Sequence, residues 1–85
     1  MSAKLNFQEE LRQQIARAIR QNRPHVEVNA GELHRIVGGY PSQHHSMPSC
    51  CEAMRDEFNR GNAEVVFQTP SGDGAAFTVR YYLPR

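Results

Sequence analysis

His44 and His45 precede Cys50 and Cys51 by six positions each, and all four carry the imidazole and thiolate groups that hold zinc. Neighbouring residues on a helix point about 100° apart. At most one member of each pair therefore suits a shared ion, with His25 or His34 recruited from elsewhere. The metal set His44, His45, Cys50 and Cys51 stands as the alternative to a plainer reading, in which the cysteines are reduced, small and buried in an apolar core. A cysteine near a helix N-terminus with a histidine as base is also the pattern of an activated nucleophile. No third residue stands at a spacing that would orient the histidine, and 85 residues leave little chain for a substrate cleft. The run SGDG at 71–74 lacks a following lysine and precedes a strand, so it reads as a turn, not a phosphate cradle. No catalytic residue and no cofactor is expected.

The same stretch supports a nucleic-acid reading. Gln43, His44, His45 and Ser49 would lie at the start of a helix, where side chains reach base edges or phosphates and the helix dipole favours an anion. Arg55 and Arg60 follow on that helix, and Arg80 and Tyr82 lie further along the chain, where a wing would contact the backbone of double-stranded DNA. Charge opposes this reading. Residues 47–60 hold Glu52, Asp56 and Glu57 against Arg55 and Arg60, a net of −1 that repels phosphates. Arg80 opposite a strand carboxylate would instead be a cross-strand pair.

The elements that must position these residues can be read from apolar spacing. Phe7, Leu11, Ile15 and Ile19 recur every four residues and predict a first helix, capped by Asn6 with Glu9 and ended just before Pro24. HVEV at 25–28 alternates as a short strand, and NAGE at 29–32 is a capping box opening a second helix through Leu33, Ile36 and Val37 to Gly38 or Gly39. After a Gly-Tyr-Pro turn, a third helix is expected from Ser46 or Ser49, with Pro48 in its first turn and Ser49 and Glu52 as a capping box. Its apolar stripe is Met47, Cys50, Cys51, Met54 and Phe58, and Gly61 closes it. AEVVFQTP and AAFTVRYYLP then form a hairpin, with Phe77, Val79, Tyr81 and Leu83 on the core face and Arg80 and Tyr82 on the other.

Helix, short strand, helix, turn, helix and β-hairpin in that order predict a single α+β domain over 1–85, winged-helix-like, with a three-stranded antiparallel sheet. His44, His45 and Ser49 would then sit where the turn meets the second helix of a helix-turn-helix. The runs AGELHRIVGGYPSQHHSMPSCCEAMR and TPSGDGAAFTVRYYLPR resemble a small bacterial domain of unassigned chemistry found in phage, restriction and HNH-endonuclease contexts. That resemblance covers residues 26–85 and implies a phage or mobile-element role, as an accessory module beside a nuclease.

Net charge is +1 and unevenly distributed. Residues 1–25 carry Lys4, Arg12, Arg17, Arg20 and Arg23 against Glu9 and Glu10, a net of +3, which leaves −2 for the rest. No stretch approaches the roughly 20 apolar residues that span a bilayer, and the N-terminus lacks the apolar core of a secretion signal. The expectation is a cytoplasmic, non-enzymatic binding module with no membrane partner. Duplex DNA is the first expected partner. A protein is the second, because an acidic third helix beside a basic first helix suits assembly.

Overall fold

A computed structural model of the chain describes residues 3–38 and 47–85. Its elements are α1 (Ala3–Arg20), β1 (His25–Asn29), α2 (Ala30–Gly38), α3 (Met47–Phe58), β2 (Ala63–Phe67) and β3 (Thr78–Tyr82). The strands form one antiparallel sheet in the order β1-β3-β2, and the three helices cover one face of it. The α+β class, the element order and the antiparallel sheet agree with the sequence reading.

The core follows from the two periodicities. Phe7, Leu11 and Ile15 from α1, Leu33 from α2 and Cys50, Cys51 and Met54 from α3 meet Val28, Phe77, Val79 and Tyr81 from the sheet and its approach. Alternation along β3 buries Val79 and Tyr81 and turns Thr78, Arg80 and Tyr82 to the uncovered face. Leu83 packs against the core edge, as its place in that alternation requires. The Tyr81 hydroxyl is buried with its ring and donates to the Met54 carbonyl at 2.8 Å, which ties the central strand to α3.

Two predicted helix ends and one predicted cap are corrected. α1 begins at Ala3, so Asn6 is inside the helix and does not cap it. Its far end is set by Asn22 and not by Pro24. Asn22 has φ 58°, its N–H reaches Ile19 O, and Arg23 N–H reaches Ala18 O, the paired bonds of a Schellman ending. Asparagine tolerates the left-handed conformation, so the helix stops earlier than the proline would demand. α3 begins at Met47, which places Pro48 in the first turn as expected but Ser49 inside the helix, where it is not the cap.

Two other ends match the expectation. Asn29 Oδ1 accepts the Glu32 N–H at 3.0 Å and so caps α2, while its amide also donates to Thr78 Oγ1 on β3. Gly61, with φ 99°, follows the last turn of α3 and accommodates a conformation that side chains resist.

The predicted hairpin strands are trimmed by tertiary contacts. β2 bulges between Val65 and Phe67, and residues 68–77 leave the ladder to dock on the start of α2 through Gly31 N–H to Ala75 O and Ala30 N–H to Phe77 O, both at 2.8 Å. Gly74 packs so closely on Thr69 that an added Cβ would lie 2.6 Å from its Cγ2, and Thr69 Oγ1 is already bonded to the Gly74 N–H. Gly74→Ala is therefore expected to cost about 1–3 kcal/mol in urea denaturation, because the threonine cannot retreat without losing that bond. A loss below a few tenths would show that the loop is not held this way.

Candidate binding surface

The residues nominated for DNA do not form one face. α3 packs on the covered side of the sheet, whereas Arg80 and Tyr82 project from the uncovered side. Gln43, His44 and His45 lie outside the described residues. Ser49 is half-buried on α3, and Arg60 is 77% exposed just beyond its end.

Most of the nominated cations are engaged within the domain. Arg55 Nη1 donates to Gly72 O at 2.8 Å and Nη2 meets Asp73 Oδ1 at 3.0 Å, with the guanidinium 5.9 Å from the Phe77 ring centroid. It clamps α3 to the loop before β3. Arg80 lies between two strand neighbours fixed by register, Glu27 on β1 at 3.3 Å and Glu64 on β2 at 3.6 Å. Tyr82 donates to Glu64 at 2.7 Å. Hydrogen bonding to Tyr82, and next to Glu27, raises the Arg80 pKa above its ordinary value. The cross-strand pair read from the sequence is present, and it occupies the groups a wing would offer to phosphates.

The outward side of α3 is acidic and is balanced from α1. Lys4 Nζ lies 2.7 Å from both Glu52 and Asp56, and Asp56, then Glu52, hold its ammonium above the usual lysine range. These are exposed pairs, screened by solvent, so they set local potential more than stability. Sequence reading did not find this cluster, because Lys4 is 48 residues from Glu52 and further still from Asp56, and only helix packing joins them. Arg85 was also missed. Its side chain is 8% exposed, bonds Glu57 Oε2 at 2.8 Å, Asn62 O at 2.7 Å and Glu57 O at 2.9 Å, and lies 5.2 Å from the Tyr81 ring centroid.

Cys50 and Cys51 point to different elements, Cys50 towards Ala30 O at 3.4 Å and Cys51 towards Gly74 O at 3.7 Å. Both are free thiols and fully buried. Burial, and secondarily Cys51, push the Cys50 thiol up to about 12; Cys51 is raised by burial and Asp73 and lowered by Arg55. Such thiols are poor nucleophiles and poor ligands. Among the described residues no three His, Cys, Asp or Glu side chains gather as a metal would need. The histidine half of the alternative metal set lies outside those residues.

Comparison with protein-family models, with curated proteins and with solved structures yields no match. The surface itself must carry the functional reading. Among the described residues no helix is long and apolar enough to cross a membrane.

The charges are sorted unusually. Among the described residues every carboxylate except Glu10 makes an ion pair, and Glu10 accepts from Gln14. Arg17, Arg20 and Arg23 make none among the described residues. The formal excess of positive charge is thus concentrated at the end of α1 and the turn that follows.

Proposed function

We propose that the chain is a non-enzymatic binding module on the winged-helix plan and that its partner is a protein. The plan is supported by the order α1-β1-α2-α3-β2-β3 with strands arranged β1-β3-β2, which brings a helix pair and a hairpin together. The choice of partner rests on one observation. Arg55 and Arg80, which a DNA-binding face would use, are held by Asp73 and by Glu27 and Glu64. Freeing them for phosphate would break pairs that already position the loop and the sheet. The acidic row Glu52 and Asp56 would meet the same phosphates with repulsion. Buried free thiols suit a reducing compartment, which supports a cytoplasmic setting for the module.

Duplex DNA remains the second reading, favoured by Arg17, Arg20 and Arg23, whose charge is not neutralised within the described residues. Contact through these three gives a log–log salt slope of about −3. An NMR titration with a mixed-sequence duplex at low salt separates the readings. The protein reading expects the amide peaks of 47–60 and 78–82 to stay in place. Saturable shifts in those segments would sink it, and shifts confined to 17–23 with the shallow slope would favour the second reading.

A further inference from the structure

We propose that the edge of α1 from Gln8 to Arg23 is a docking groove for an acidic amphipathic segment of a protein partner, an inference that rests on the protein-binding reading above. Three depressions lie along this edge. The first, about 120 Å³, lies between Gln8 and Arg12 of α1 and Asp56 of α3. The second, about 460 Å³, shares Arg12 and Arg60 with it and continues over Ile15 to Asn62 and Arg85. The third, about 340 Å³, lies where Ile19 and Arg23 face Leu83 and Pro84. Gln8, Arg12, Ile15 and Ile19 recur at helical spacing along one side of α1, so the depressions form a row; the helix from Gln8 to Arg20 is about 18 Å long, and the turn carrying Arg23 extends the row beyond it.

The chemistry of the row selects its occupant. Its floor is apolar, made by Ile15, Ile19 and Leu83, and its exposed rim is basic, made by Arg12, Arg23 and Arg60: Arg12 and Arg60 make only exposed i,i+3 pairs with Glu9 and Glu57, which an incoming carboxylate can exchange, and Arg23 makes none among the described residues. The acids on the far wall are already satisfied, Asp56 by Lys4 and Glu57 by Arg85. An occupant therefore needs apolar side chains on one side and carboxylates on the other, in a segment long enough to follow a helix. A nucleic-acid backbone has nothing to bury on the apolar floor. A flat lipid surface does not enter a concave row. A second copy of this chain has few acids to offer, because its own are internally paired.

The probe is a synthetic peptide of about 15 residues, matched to the groove's length, with leucine at every third or fourth position and glutamate elsewhere. Its controls are a scrambled peptide of the same composition and a version with lysine in place of glutamate. Titrated into the ¹⁵N-labelled full chain, the glutamate peptide is expected to shift Ile15, Ile19, Asn62 and Leu83 saturably and to bind more tightly than either control. R12E/R23E, both exposed and outside the core, should keep its circular dichroism spectrum and bind about tenfold more weakly. Several outcomes overturn the proposal: no saturable shift, equal binding of the scrambled or lysine peptide, undiminished binding by the variant, or shifts confined to residues outside the groove. Binding of the chain to anionic phospholipid vesicles through the same residues would overturn it too. If the DNA titration leaves 17–23, 47–60 and 78–82 unmoved while the peptide fails, this groove is refuted but not the protein reading. DNA shifts in those segments refute the reading itself.

Discussion

Tyr81→Ala is expected to lower unfolding free energy by about 4 kcal/mol, the range for deleting a large buried aromatic. A domain of this size has only about 5–10 kcal/mol in total, so most of its stability would be lost. The size of the effect comes from the place of the residue. Tyr81 is fully buried on the central strand, paired with Val26 on one side and Ala63 on the other, and its ring is capped by Arg85. Alanine would leave a cavity where strand, α3 and that guanidinium meet, and the paired backbone on both sides limits how far it can collapse. Tyr81→Phe separates the hydroxyl from the ring. It should cost about 1 kcal/mol, because Met54 O lies inside α3, where it retains a helical partner and is not orphaned. Urea unfolding of both variants checks this, and a Tyr81→Ala loss below about 1.5 kcal/mol would contradict the packing described, since such values belong to partly exposed sites.

The order of elements was legible because each carries its own period. Four-residue spacing from Phe7 to Ile19 and alternation from Phe77 to Leu83 both report which side meets the core, and burial agrees with both. Asn29 and Gly61 were legible because their effects are local: one side-chain acceptor, one positive φ. The ends that were misread involve competition or long-range contact. Asn22 stops α1 before Pro24 can, and Ala3–Asn6 are helical in a segment whose Lys4 reaches carboxylates on α3.

The surface was less legible than the fold for the same reason. A list of arginines does not say which are already paired. Arg80 could be assigned an acidic strand partner from alternation alone, but Arg55 meets Asp73 only because the loop before β3 folds back onto α3. The groove along α1 joins residues from both ends of the chain, Arg12 and Arg85 among them, and no local pattern announces that meeting.

Alkaline pH is expected to unfold this domain well before its arginines titrate. In an unfolded chain cysteine ionises near 8.5 and tyrosine near 10. In the folded domain burial pushes Cys50 up to about 12, and burial also raises Cys51 and Tyr81. Each folded-state value is therefore above the unfolded one, so the native state holds more protons once pH exceeds about 8.5. Stability from these groups is fully present below that point and falls as pH rises towards the folded values. The slope is about 1.4 kcal/mol per pH unit for each group in its window. At pH 10.5 Cys50 alone accounts for a loss of about 2–3 kcal/mol, with Cys51 adding in the same direction. Urea midpoints from pH 7 to 11 should stay level to about 8.5 and then fall steeply. The thiols can be separated from the tyrosine by Cys50→Ala/Cys51→Ala. That variant begins less stable at pH 7 through lost packing, yet its decline between pH 9 and 10 should be shallower. Parallel declines for the two proteins would mean that the thiols ionise in the folded state much as they do in water, which their packing against Ala30 and Gly74 does not permit.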